Sequence, residues 1–420
     1  MIFIAAIFII GYLIITLEHA FNVNKAATAL LTGVLCWVAY LFSASDSHFV
    51  SEQLMEHLGE IAGILFFLLG AMTVVELIDA HDGFRIITNS IKTTDKRKLI
   101  WIISFFTFFL SAVLDNLTTS ILMVSLLRTL IKDKNDRWFF LGMVIIASNA
   151  GGAWSPIGDV TTTMLWIGGQ ITSKNIILKL FIPSLVCLLV PLLIVSRKMN
   201  GNIGSIETEP KESPADKLSR NIIFFTGIGI LLFIPFFKTI THLPPFMGML
   251  LGLGVLWIVS EIIHKDKDTE DKDMLSVVYA LRKIDTPSIL FFLGILIAIA
   301  GLQSSGLLAG FASSLDAKIS NDNIIVMIIG LLSAIVDNVP LVAASIGMYD
   351  LSHYPTDHSF WQFLAYATGT GGSALIIGTA AGVAVMGMEK ITFFWYLKKM
   401  SLLALAGFLA GAGVYILLSN

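Results

Sequence analysis

Two short strings carry the first chemical signal: Asp115-Asn116 and Asp337-Asn338, each inside a long apolar stretch. A third carboxylate, Asp159, follows Pro156-Ile157-Gly158 and precedes Thr161-Thr162-Thr163. Carboxylate, hydroxyl and carbonyl oxygens are what a hard cation such as Na⁺ prefers. Asp and Asn are also good helix N-caps, and a proline followed by an acid suits the start of a helix. Capping needs no charge, however, because Asn or Ser serves equally well. A carboxylate at the middle of a bilayer costs at least ~2.5 kcal/mol. The candidate Na⁺ ligands are therefore Asp115, Asp159 and Asp337, with Asn116, Asn338, Thr161 and Thr162 beside them and Asn149 among the further oxygens of the first break. Ser148, Ser155, Thr118, Thr163, Thr370 and Ser373 offer further oxygens, some of which serve only the backbone groups freed where helices break. Glu76 lies near the end of its apolar run, where a side chain can reach the interface.

The elements that position these residues are membrane-spanning. Charged residues make up 14% of the 420 and hydrophobic ones 56%, against about 25% and 45–50% in soluble domains. A net charge of −3 without a basic, aromatic-backed patch excludes nucleic-acid binding. The two cysteines, Cys36 and Cys187, sit inside apolar runs, which excludes a disulfide framework. Eight uninterrupted apolar runs are long enough to cross a ~30 Å hydrocarbon core. Four longer stretches, 99–130, 138–166, 324–348 and 360–388, are interrupted by polar or glycine-rich strings. Broken backbone at membrane depth is tolerated only where protein or a water-filled cavity surrounds it.

Flanking charge distinguishes the interrupted stretches. Stretch 99–130 lies between Lys96, Arg97, Lys98 and Arg128, Lys132, Lys134; stretch 324–348 lies between Asp316, Asp322 and Asp350, Asp357. Matched flanks predict two re-entrant hairpins, the first entering from the cytoplasm and the second from outside. Stretches 138–166 and 360–388 are then broken transmembrane helices. With this threading, all Lys and Arg except Lys174, Lys179, Lys238 and Lys318 fall in inner loops, as the positive-inside rule demands. Both termini lie outside, and no Lys or Arg is expected at membrane depth.

The chain also repeats itself. Ser111-Ala112-Val113-Leu114-Asp115-Asn116 returns as Ser333-Ala334-Ile335-Val336-Asp337-Asn338, and Gly151-Gly152 with Gly158 return as Gly371-Gly372 with Gly378. Near-constant spacing across separate elements argues for a duplicated half. An odd number of crossings between the hairpins inverts the second copy. Inverted repeats with broken elements at the midplane are the architecture of secondary transporters. The expected fold is an all-α polytopic membrane protein of this type. Its parts are N-terminal scaffold helices (1–60), a first repeat (61–196), a cytoplasmic linker (197–220), scaffold helices with a cytoplasmic loop (221–285) and a second repeat (286–420). The sequence contains no P-loop and no His-Glu-x-x-His zinc motif, so neither ATP-driven transport nor a metalloprotease is supported.

The strings Ser111–Thr119, Ser148–Thr162 and Val336–Pro340 resemble NhaD-type sodium/proton antiporters of the ion transporter superfamily. The resemblance runs over nearly the whole chain from about Gly59 onward. It implies exchange of Na⁺, often Li⁺, for H⁺ in a bacterial cytoplasmic membrane, with no cofactor. It maps the family's polar residues onto Asp115, Asn116, Asn149, Asp159, Thr161, Thr162, Asp337 and Asn338, and it implies a homodimer. Two rivals stand beside it. An anion carrier of the same superfamily, for dicarboxylates or oxyanions, would have to tolerate Asp-Asn at both tips. An intramembrane hydrolase would need a nucleophile pairing that the spans do not offer.

Overall fold

A computed structural model describes residues 2–16, 23–44, 46–88, 93–203, 214–265, 274–319 and 321–419. Eight of the described helices are long and apolar enough to cross a membrane. Helix α1 (Ile2–Thr16) packs on α2 (Lys25–Ser43), and α3 (Ser47–Ala80) follows a single polar turn. A short turn of helix, α4 (Arg85–Thr88), leads to the first hairpin, α5 (Lys96–Leu114) and α6 (Asn116–Leu130). The first broken helix is α7 (Lys134–Gly152) and α8 (Val160–Ile167), and α9 (Ser173–Lys198) closes the repeat. Helices α10 (Pro214–Thr241), α11 (Pro245–Ile263) and the short α12 (Val277–Lys283) link the halves. The second half runs through α13 (Thr286–Ser304), α14 (Leu307–Lys318), hairpin α15 (Asp322–Leu332) and α16 (Asn338–Met348), broken helix α17 (Ser359–Gly371) and α18 (Ala380–Glu389), then α19 (Phe393–Lys399) and α20 (Ser401–Ser419).

Side-chain caps start most of these helices where the sequence offers an oxygen. Asp95 accepts from the Lys98 N–H, Asp133 from Asp136, and Thr172 from Asn175. Each satisfies one of the donors a helix start leaves open. The spans are apolar around most of their circumference. Phe225, Leu232 and Phe236 of α10 remain exposed on one side of that helix, which is the surface a bilayer would cover.

Lys96 meets Asp136 at 2.5 Å, and Arg137 meets Glu389 at 2.8 Å while Arg128 binds the same carboxylate, so both ends of the first hairpin share one basic face. At the second hairpin's mouth the Tyr349 hydroxyl donates to Asp316 at 2.8 Å, and Asp357, before the second broken helix, accepts from the Thr172 N–H at 2.7 Å and the Thr172 hydroxyl at 2.8 Å. The two halves interlock. Each hairpin's first helix packs on the first segment of its own broken helix, α5 on α7 and α15 on α17. Each hairpin's second helix packs on the other repeat's half-helix, α6 on α18 and α16 on α8. The joints are built alike. A Cβ on Gly151 would stand 2.1 Å from the Phe108 carbonyl oxygen, and one on Gly371 would stand 2.1 Å from the Gly330 carbonyl oxygen. Ser111 donates to the Ser148 carbonyl at 2.6 Å, and Ser333 to the Thr368 carbonyl at 3.3 Å.

Several sequence expectations shift. The boundary at 60/61 falls inside α3, which runs unbroken for 34 residues from an N-cap at Asp46. The linker's last residues, from Pro214, already belong to α10, while 204–213 lie outside the described residues. Helices α12, α14 and α19 form segments read as loops. Two lysines assigned to loops instead project onto transport elements. Lys25 reaches Asp337, and Lys238 donates to the Trp166 carbonyl at the end of α8.

Candidate functional site

Asp159 is the hub. Gly158 ends the first break in close contact with the hairpin, and the chain then turns extended at Asp159 (φ −148°) before α8 begins. That geometry makes Asp159 the N-cap. Its Oδ1 accepts from the Thr161 N–H and the Thr161 hydroxyl, both at 2.9 Å. Its Oδ2 accepts from the Asn116 amide at 2.5 Å, and the Asn338 amide stands 3.5 Å from both oxygens. The residue is 2% exposed. One carboxylate thus joins α8 to both hairpin tips.

Asn149 completes the arrangement from α7. It accepts from Asn116 at 3.0 Å and donates to Ser373 at 2.9 Å and to Thr379 at 3.1 Å. Thr379 is the N-cap of α18, so Asn149 ties the first broken helix to the start of the second repeat's half-helix. Amide orientation is assigned from such partners. With every partner of Asn116 an acceptor, its N–H side must face Asp159.

The tips differ. Asp115 holds φ 89°, ψ 161°, a region that residues with a side chain rarely enter and that costs of order 1–3 kcal/mol. Its carboxylate accepts from the Thr118 N–H and the Thr118 hydroxyl, both at 2.8 Å. Asp337 holds an ordinary φ of −50° and receives only a long bond from Val339, at 3.4 Å. The Lys25 ammonium stands 3.7 Å away.

Asp115, Asn116, Thr118, Asp159, Thr163, Asp337 and Asn338 line one central cavity of about 60 Å³, walled otherwise by Ser288 and by apolar residues such as Phe67, Met72 and Phe292. A water needs roughly 10–15 Å³ on that scale, so an ion with a few waters has room. Among the described residues, no three His, Cys, Asp or Glu side chains converge closely enough to hold a metal ion together. The three aspartates expected as Na⁺ ligands do not close on one point: Asp115 is turned to Thr118 and Asp337 to Lys25. The aspartates share a cavity wall instead.

Other expected oxygens serve the framework. Thr162 donates to the Asp159 carbonyl, Thr163 to Pro156, Ser155 to Ala112 and Thr370 to Tyr366. Ser148 is bonded to Ser120 and Ile145. Glu76 lines an adjoining cavity of about 150 Å³ with Asp79, Lys283 and Thr118, outside the central cluster. His81 is buried, and its ring lies 4.9 Å from that of His264. Sequence reasoning missed Lys25, whose only local signal is its place at the first position of a helix. It also missed the carboxylate of Glu389, which is gripped by two arginines from the first hairpin's mouth. Outside the spans, the Ser352 hydroxyl and the His353 N–H hold the Asp350 carboxyl below its usual range.

Residues 5–362 match a family model described as "Citrate transporter". The chain is 48% identical over 419 residues to sodium/proton antiporter 1 of Arabidopsis thaliana, covering 99% of this chain and 72% of the relative. It is 31% identical over 445 residues to the Na⁺/H⁺ antiporter NhaD of Vibrio cholerae, covering 99% and 91%. Among solved structures, the YdaH transporter of Alcanivorax borkumensis superposes with a TM-score of 0.53 at 13% identity, covering 89% of this chain and 88% of that one.

Proposed function

The chain belongs to the citrate transporter family, and within it we propose that this member exchanges Na⁺, and Li⁺, for H⁺ by alternating access. It is a transporter rather than an enzyme. One observation carries the choice of a cation. Three of the four half-helix N-termini at the cavity already carry an acid: Asp115 caps α6, Asp159 caps α8 and Asp337 caps α16, while Thr379 caps α18. Helix N-termini are what an anion would need in the absence of a convergent basic cluster. A dicarboxylate would meet three carboxylates there instead. A cation meets oxygen.

In this mechanism Asp159 takes either one proton or one Na⁺. The amides of Asn116 and Asn338 satisfy its oxygens in the ion-free form. Turning the Asn116 amide over presents its carbonyl oxygen to the cation and leaves that oxygen facing the Asn149 carbonyl. Asn149 must then turn as well, and the Ser373 and Thr379 hydroxyls that accepted from its amide must reverse to donate to its carbonyl oxygen. Ion binding at the first repeat is thereby felt at the second. Asp115 and Asp337 act on the ion through their charge and through its remaining waters. The broken helices and hairpins move together against the scaffold. By the positive-inside rule the basic face is cytoplasmic, and both described ends of the chain then lie outside.

The test is proton flux in proteoliposomes under an imposed pH gradient, scanned over Na⁺, Li⁺, K⁺ and citrate. If one proton excludes one ion, apparent Na⁺ affinity falls about tenfold per pH unit on the acid side and levels off on the alkaline side. A pH-independent affinity refutes the shared carboxylate. Citrate-driven flux without a Na⁺ response refutes cation exchange.

A further inference from the structure

Lys25 opens α2, and its ammonium stands 3.7 Å from Asp337 Oδ2 at the second hairpin tip. The same nitrogen lies 4.5 Å from the centre of the Phe291 ring on α13, which steadies the stem from the scaffold side. Lys25, Tyr12, Phe291, Asp337 and Thr379 line a cavity of about 110 Å³. Asp337 also lines the central ion cavity, so it forms a wall of both.

Three features separate this pair from an ordinary surface contact. First, Asp337 is weakly held by its own helix, by one N–H at 3.4 Å, whereas its twin Asp115 has two bonds of 2.8 Å. The second carboxylate is left available to an outside cation. Second, the pair is loose and reachable: 3.7 Å exceeds hydrogen-bond length, and the two side chains are 27% and 19% exposed. The ammonium can leave without a buried charge being stranded. Third, the pair joins a scaffold helix to the tip of a moving hairpin.

We propose that Lys25 is a tethered competitor for the transported ion: its ammonium neutralises Asp337 while the cavity is ion-free, and Na⁺ entering beside Asp337 displaces it, releasing the second hairpin from α2. This rests on the antiport reading and adds a residue to it. Lysine suits the role because its ammonium is a compact charge on a flexible stem. The consequence is a lowered apparent affinity, since only the unlatched fraction binds ion.

The experiment is Na⁺-driven proton flux in proteoliposomes at one fixed pH, giving the half-saturating Na⁺ concentration and the maximal rate separately for wild type, Lys25→Gln, Lys25→Arg and Phe291→Ala. If about nine-tenths of the ion-free protein is latched, Lys25→Gln lowers the half-saturating concentration about tenfold. Lys25→Arg, which keeps the charge, stays near wild type, and Phe291→Ala, which frees the stem, shifts in the direction of Lys25→Gln. Calorimetric Na⁺ binding in an Asp337→Asn background should show no further gain from Lys25→Gln. Unchanged half-saturation in both Lys25→Gln and Phe291→Ala, or a gain that persists with Asp337→Asn, overturns the competitor role and leaves the antiport reading standing. A wild type with no saturable Na⁺ response overturns both.

Discussion

At the first hairpin tip, Asp115 is forced to φ 89° and its carboxylate is spent on Thr118; at the second, Asp337 rests at φ −50° and its carboxylate faces Lys25. The same divergence appears one layer deeper. Asp159 begins α8 in the first repeat, and Thr379 begins α18 at the corresponding place in the second. The joints between hairpin and broken helix, by contrast, are alike in both copies: serine on a carbonyl, glycine against backbone. Duplication has kept what closes the backbone and the Asp-Asn pair at each tip, and changed the cap beside the cavity and what each tip carboxylate touches. A joint has few physical solutions when two backbones come within contact distance. A cavity lining can change charge provided each helix start keeps an oxygen as its cap.

The largest effect should come from the residues that break the symmetry. Asp159→Asn keeps an N-cap of similar quality, so the protein should fold and insert. On the proposed shared-carboxylate mechanism it then has no group at which a proton and an ion can trade places. We expect Na⁺-driven proton flux to fall at least a hundredfold, roughly the loss of one essential charge-stabilised contact of about 3 kcal/mol. Thr379→Val removes only a cap and one partner of Asn149, at about 1 kcal/mol, so flux should fall by less than about tenfold. Parallel reconstitution of both variants at matched protein levels decides the matter. Equal losses would mean that the halves are chemically equivalent after all.

How much of this the sequence reveals depends on distance along the chain. The Asp-Asn tips, the Gly-Gly breaks and the acid before three threonines are local patterns, and the offset between copies is visible because the joints are constrained. The hairpins are readable from matched flanking charge because the membrane sorts charge by face. Lys25 is not readable: its partner lies 312 positions away, and only the packing of α2 on α13 brings them together. Nor can spacing tell which hydroxyls serve the cavity. Ser155 and Thr163 belong to the same string as Asp159, yet both are spent on backbone carbonyls. Asp46 caps the start of α3, but the polar run from Ser51 to Glu60 masks the helix in the sequence, because that part carries polar residues to solvent.

A smaller effect tests whether the joints are as equivalent as their geometry. Gly151→Ala and Gly371→Ala each place a methyl 2.1 Å from a backbone oxygen, of Phe108 and of Gly330. Neither oxygen can retreat without moving a hairpin helix. Overpacking of this kind costs typically about 1–3 kcal/mol. Thermal unfolding in detergent should show similar losses for the two variants. A loss at only one joint would mean that the two hairpins are not held alike and that the symmetry is only a matter of sequence.

The finest comparison returns to the tips and uses glycine as the probe. At position 115 the backbone conformation is one that glycine adopts freely, and the native side chain is tolerated there at a cost of order 1–3 kcal/mol. Asp115→Gly removes that strain and loses an N-cap, for which glycine is only a few tenths of a kcal/mol worse. The two Thr118 bonds also go, but Thr118 borders the cavity and can turn to water. The sum is near zero or slightly stabilising. At position 337 no strain is relieved: φ −50° suits aspartate, and Asp337→Gly loses the cap, the Lys25 pair and backbone rigidity, at about 1 kcal/mol. Asp115→Gly should therefore unfold at higher temperature than Asp337→Gly, by an amount equivalent to about 1–2 kcal/mol, while both are impaired in Na⁺-driven flux. The unfolding is measured in the same detergent without Na⁺, so that bound ion does not contribute. The reverse order would show that the Asp115 backbone is not strained, and the two tips would then differ only in what their carboxylates touch.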